Sequence, residues 1–126
     1  MVLKTIFGIG LLNLFFISPV QSQHISFDSI AKLIPGENNR AFNRIVNNEH
    51  ISILLYHPEK KDLQQPHNKD EYYFVVKGTG EFFYKGKLTP FKTGDVLFAA
   101  AGEEHRFENF SDDLFVWVIF YGPSKK

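Results

Sequence analysis

The run Gln65-Pro66-His67-Asn68-Lys69-Asp70-Glu71-Tyr72-Tyr73-Phe74-Val75-Val76-Lys77-Gly78 gathers side chains able to bind a cation or move a proton. In an extended chain side chains alternate with a period of two, so Gln65, His67, Glu71, Tyr73 and Val75 can share one face. That face carries an imidazole and a carboxylate above an aromatic and aliphatic floor. A second run, Gly94 to Asn109, leads a strand into a glycine turn and brings His105 to the start of the next strand, with Phe107 and Asn109 on its face. Taken singly, a His or Glu beside a turn is usually only solvated. The chain has no cysteine, which excludes disulfides, thiolate zinc sites, cysteine nucleophiles and a lipidated cysteine. Any metal must therefore rest on His, carboxylate or amide ligands.

Those residues need rigid elements to hold them. From His24 to Asn48 the pattern is mixed: Phe27, Ile30, Ala31 and Ile34 recur at helical spacing before Pro35-Gly36 stops them, which predicts one short helix and a linking loop. Beyond residue 49 no helical period remains. Strands are expected at Ile51 to Tyr56, Tyr72 to Lys77, Glu81 to Tyr84, Val96 to Ala99, His105 to Phe110 and Leu114 to Tyr121. Turns at Gly78-Thr79-Gly80, Gly86 and Thr93-Gly94-Asp95 separate several of them. Short strands with regular turn signals point to an all-β antiparallel sandwich or barrel rather than an α/β fold. Phe74, Val76, Phe82, Tyr84, Phe98, Phe115, Trp117 and Ile119 read as its core. Tyr73, Val75 and Phe107, sharing the proposed site face, read as pocket lining.

Length and charge narrow the function classes. The chain has 126 residues, 14 of them Phe, and 44% are hydrophobic, enough for one domain with a sizeable core. Residues 1–22 have the layout of a cleaved export signal: Lys4, an apolar stretch from Thr5 to Val20, then Gln21-Ser22-Gln23, with cleavage expected after Ser22. The stretch is shorter than the ~20 apolar residues a spanning helix needs, so no stable membrane anchor is expected. Residues 23–126 then form a single domain. Lys and Arg total 14 and so do Asp and Glu; this balance gives no basic excess of the kind nucleic acid would favour.

The two runs resemble the paired motifs of the cupin superfamily. Its first motif, G-x5-H-x-H-x3-E-x6-G, is matched by His67, Glu71 and Gly78; its second, G-x5-P-x-G-x2-H-x3-N, is matched by Gly94, Gly102, His105 and Asn109. The chain is most similar to small single-domain bacterial cupins with a P-H-x-x-D-E segment, here Pro66, His67, Asp70 and Glu71. Glu59 stands at the opening glycine, Ala100 at the proline and Gln65 at the first histidine. The resemblance implies a jelly-roll-like antiparallel β-barrel and a divalent metal ion on His67, Glu71 and His105. Such a set leaves coordination positions open and suits iron, manganese, zinc or nickel. Gln65 would either add an amide oxygen or orient a ligand or water from behind.

What the resemblance implies about function is broad: a small molecule bound or acted on beside the metal, by a dioxygenase, an isomerase or a non-catalytic binding module. The same three residues would also fit a barrel that has given up its metal. A homodimer is compatible with this reading, and export places the protein in the periplasm or medium. Asp70 falls on the opposite face from Glu71 and reads as a solvated carboxylate, as Pro123 to Lys126 reads as a solvated tail. His57 reads as loop-facing, and His24 and His50 carry no assigned role.

Overall fold

The computed structural model describes residues 23–126; the expected export segment, residues 1–22, lies outside them. A five-residue helix, α1 (Phe27–Ala31), opens the described chain, capped by the Ser26 hydroxyl accepting from the Ser29 amide. A 3-10 turn, Glu37–Asn39, follows. Eight strands make up the rest: β1 (Phe42–Asn47), β2 (Ile51–Tyr56), β3 (Asp70–Lys77), β4 (Gly80–Tyr84), β5 (Lys87–Phe91), β6 (Val96–Ala99), β7 (His105–Glu108) and β8 (Phe115–Tyr121). Among the described residues no helix is long and apolar enough to cross a membrane.

The strands form two antiparallel sheets, ordered β1-β2-β8-β3-β6 and β5-β4-β7. They are not closed into a barrel by continuous pairing, which corrects that part of the expectation. The chain passes between sheets at tight corners, after β3, β5, β6 and β7, so consecutive strands face each other across the core instead of pairing around it. One such corner explains a motif glycine. Gly78 has φ +103°, and a Cβ there would sit 2.7 Å from Leu114 Cα; only glycine accepts both the angle and the approach.

Two strands escape the sequence reading. β1 lies in the stretch expected to be loop, because Asn43, Arg44 and Asn47 dilute its apolar pattern, and a bulge between Arg44 and Val46 breaks its alternation. β5 contains Pro90, tolerated because β5 is the edge of its sheet. Lys85 (φ 52°) and Gly86 (φ 81°) close the β4–β5 hairpin, the paired positive φ values of a two-residue primed turn.

The interior lies between the sheets. From the larger come Leu54, Tyr73, Val75, Ala99, Val116 and Val118; from the smaller come Phe82, Phe91 and Phe107. Each large side chain buried here stabilises the fold by roughly 1.5–3 kcal/mol before entropy is charged. Part of the expected core is displaced. Phe74 and Phe98 are 41% and 38% exposed, and Phe115, Trp117 and Ile119 are only half-buried. A strand in a two-layer protein has one inward face, and for β8 it belongs to Val116 and Val118. Tyr72 of β3 and Phe98 of β6 meet on the outer face instead, where Tyr72 packs on Phe98 at 5.1 Å and stacks on Tyr121 of β8 at 5.6 Å.

Candidate metal centre

Glu71 is the first inward residue of β3 and is fully buried. His67 lies in the segment leading into β3, and His105 opens β7 in the opposite sheet. One ligand atom from each of the three lies within 4.8 Å of the others. The two sheets thus meet at this cluster: the imidazole rings of His67 and His105 are 4.9 Å apart, edge to face, and Phe120 closes on the other side of His67 at 4.9 Å.

The hydrogen bonds fix how each group presents itself. His67 Nδ1 lies 2.9 Å from the Lys69 carbonyl oxygen and His105 Nδ1 lies 2.8 Å from that of Glu103. A carbonyl can only accept, so both Nδ1 atoms carry hydrogen and both Nε2 atoms of the neutral rings offer lone pairs to the centre. His67 Nε2 is 2.5 Å from Glu71 Oε2 and His105 Nε2 is 3.2 Å from the same oxygen. His105 Nε2 is close enough for charge attraction but not aligned as a donor, and it and Glu71 Oε1 are buried without a hydrogen-bond partner. Such orphaned atoms are rare in folded interiors.

Electrostatics follow from this crowding. Burial alone would raise the Glu71 carboxyl, but His105 and then His67 outweigh it and hold the group below its ordinary range. Burial alone would lower His105; the Glu71 carboxylate and the Glu103 carbonyl reverse that and hold it above its ordinary range. The arrangement favours positive charge between the donors. Two imidazole nitrogens and a carboxylate can hold a divalent ion, and they do not discriminate among iron, manganese, zinc and nickel.

A cavity of about 380 Å³ opens beside the cluster. Gln65 lines it together with His67 and Glu71. Tyr73, Val75 and Phe107 do not, which corrects their assignment as lining: they are 0%, 4% and 1% exposed, packed beneath the site as its floor. The apolar wall comes instead from Leu54, Leu63, Val118 and Phe120. Asp70 also departs from expectation. Its carboxylate accepts from the Ala101 amide at 2.9 Å and pairs with Lys125 at 2.5 Å, holding it below its ordinary range. It therefore ties the glycine turn before β7 to β3, and the C-terminal residues, with the Lys125 amide on the Asn68 carbonyl, pack against the site's entrance segment rather than trailing. The Gly102 amide donates to the His67 carbonyl at 2.7 Å, a second tie between the two motif runs. Asn109, by contrast, turns to Glu81 at 2.7 Å, and His57 stacks on Phe115 at 4.1 Å while its Nδ1 meets the Leu114 carbonyl.

Sequence reasoning missed the polar group under the cavity. Asp62, 5% exposed, accepts from Tyr56 Oη at 2.6 Å, the Gln64 amide at 3.2 Å, Gln64 Nε2 at 2.7 Å and the Phe107 amide at 2.7 Å. Gln64 in turn accepts from Tyr73 Oη at 2.7 Å. This network anchors the β2–β3 connection, and so Gln65 and His67, to β7. No spacing announces it, because its members come from a polar connection and two separate sheets.

The cupin domain family matches residues 52–121 of the chain. An uncharacterised protein of Streptomyces coelicolor is 34% identical over 88 residues, 68% of this chain and 84% of that protein. An oxalate-binding protein of Thermotoga maritima is 46% identical over 39 residues, 31% of this chain and 32% of that protein, so the match spans about a third of that relative. Among solved structures, a Klebsiella pneumoniae protein with a double-stranded β-helix domain superposes with a TM-score of 0.62 at 21% identity, over 82% of this chain and 92% of that chain. At that identity the likeness concerns fold alone.

Proposed function

The chain belongs to the cupin domain family, and from that premise we propose that it holds one divalent metal ion through His67, Glu71 and His105 and binds a small molecule in the adjoining cavity. One observation carries the reading. With both Nδ1 hydrogens committed to carbonyls, two Nε2 lone pairs converge on an ionised, buried carboxylate with an oxygen to spare. Only a cation between them relieves that repulsion, and a proton satisfies one contact whereas a divalent ion satisfies all three. The oxalate-binding relative supports a small-ligand role for such a domain.

The protein's own contributions are positional. The Lys69 and Glu103 carbonyls lock the two neutral rings in the ligating tautomer, and, when protonated, His105 and then His67 hold the Glu71 carboxyl below its ordinary range. Leu54, Val118 and Phe120 keep the adjoining wall dry. Gln65 presents an amide at the rim, as a weak ligand or to orient what binds there. A bound divalent ion supplies Lewis acidity toward an oxygen-bearing ligand and, if redox-active, oxygen chemistry.

Elemental analysis tests the site: wild-type protein is expected to carry about one metal per chain, and His105→Ala to lose it. Equal metal in both would refute the assignment. Metal-replete protein that returns its ligand unchanged in air is a binding module rather than an oxygenase or isomerase. We also propose that residues 1–22 direct export. The exported product should begin at or near Gln23 by N-terminal sequencing, and a product retaining Met1 would refute cleavage.

A further inference from the structure

The chain has three arginines, and their surroundings differ. Arg106 is paired with two carboxylates: its Nε donates to Glu108 and its Nη1 to Glu104, both at 2.7 Å. Arg40 and Arg44 have no carboxylate within ion-pair reach among the described residues. Both line the cavity that also holds His67 and Glu71. Each guanidinium lies 5.8 Å from the centre of the Phe42 ring, which is itself part of that wall. Arg44 is further fixed by donating to the hydroxyl of Ser52, a residue only 5% exposed.

Both arginines are exposed to solvent and also border the cavity, so their charge is hydrated at its rim. Among the described residues the carboxylate on the cavity wall is Glu71, and its charge is already met by the two imidazoles, or by the metal on the reading above. Two like charges beside one ring repel each other, and among the described residues no carboxylate lies within ion-pair distance of either, although Glu37 borders the neighbouring concavity with both. At 5.8 Å from the ring the guanidiniums are in loose cation-π contact with Phe42, and with Arg44 Nη1 held by Ser52 their remaining donors are those an anion with two oxygens could engage. Leu54, Leu63, Val118 and Phe120 offer the rest of such a ligand an apolar bed.

We propose that the cavity selects a small organic acid with an apolar body, its carboxylate held by Arg40 and Arg44 and its body laid against Phe42 and the apolar wall. The proposal rests on the reading of this cavity as the ligand site, and not on the metal. It names the class of ligand, which neither the metal cluster nor the fold does.

Binding of two acid and amide pairs, phenylacetate with phenylacetamide and hexanoate with hexanamide, is measured by calorimetry and ligand-observed NMR at low salt, with metal content assayed on each sample. Wild-type protein is expected to prefer at least one acid over its amide by on the order of tenfold. Arg40→Gln with Arg44→Gln should bring the pair to parity without changing metal content. Because Arg44 also meets buried Ser52, Arg40→Gln alone is the safeguard: it should lower the preference several-fold, while Arg44→Lys keeps most of it. His105→Ala protein, expected to be metal-free, should still prefer the acid. Failure of both acids to outbind their amides, including failure to bind at all, overturns the proposal. So does a preference that survives the double substitution, or one that vanishes with the metal alone. Acid preference in a wild-type protein that holds no metal would sink the metal reading and leave this one standing.

Discussion

Asp62 and Glu71 are both buried carboxylates, 5% and 0% exposed. Their donor inventories separate them. Asp62 receives four hydrogen bonds from neutral donors, two on each oxygen, and needs nothing more. Glu71 receives contacts on one oxygen only, from rings whose remaining hydrogens are spent elsewhere, and its second oxygen has no partner. A satisfied buried charge holds a fold together; an unsatisfied one waits for a cation. Burial alone does not tell the two apart.

The largest expected difference comes from exchanging each carboxylate for its amide. In Asp62→Asn the new NH2 must face either Tyr56 Oη and the Gln64 amide or Gln64 Nε2 and the Phe107 amide, so in both orientations a backbone donor meets a donor, and the lost bonds should cost about 2–3 kcal/mol. Denaturant unfolding of metal-free protein reads it. Glu71→Gln should cost less than about 1 kcal/mol on the alkaline side of the His105 titration, because the new amide can donate to an imidazole lone pair. It should nevertheless abolish stoichiometric metal. If Glu71→Gln proved the more destabilising of the two, the contrast would be reversed.

A smaller effect appears with pH. His105 is raised above its ordinary value of 6.5, so in metal-free protein its contribution to stability is complete below that value and is lost as pH rises through its folded pKa. Glu71 is lowered from 4.5, so its contribution is present above that value and is lost as pH falls through its folded pKa. The pair therefore stabilises the metal-free protein in the window between these two titrations. A metal must displace the His105 proton, so its apparent affinity should fall about tenfold per pH unit below the raised pKa. Isothermal titration across pH measures the slope, and Asp62→Asn should leave it unchanged.

The smallest effect tests how far the Asp62 network reaches. Burial, then the charge of Glu71, pushes the Tyr73 hydroxyl well up, so it stays a donor to Gln64. Tyr73→Phe should cost about 1 kcal/mol in unfolding experiments, with metal content intact. A loss of metal in Tyr73→Phe would show that the two carboxylates are coupled after all.

Much of the site was legible before any fold was known, because alternation is a local property. Glu71, Tyr73 and Val75 share a face by period two, and in β3 all three point inward. The motif spacing pointed to His67, Glu71 and His105, the cluster whose ligand atoms the fold gathers within 4.8 Å. Alternation does not say how deep a face lies, however, so Tyr73, Val75 and Phe107 were read as lining when they are the packed floor. It also fails at β1, where the bulge after Arg44 interrupts the period and hides the strand that carries Phe42 and Arg44 to the cavity.

By itself, then, the sequence determined the all-β class and the donor types open to a metal in a chain without cysteine, and its motif resemblance singled out the three residues the fold gathers into one cluster. Tertiary structure decided the rest. It set which parity of β8 faces inward, through a register that places Val118 and Val116 opposite the inward Tyr73 and Val75. It brought Asp62 to the Phe107 amide, left Arg40 and Arg44 at the cavity with no carboxylate partner among the described residues, and kept two sheets separate instead of joining them in a closed barrel. Each of these depends on contacts between residues far apart in the chain, and register and long-range packing are settled only when the sheets pair, not by the pattern along any one strand.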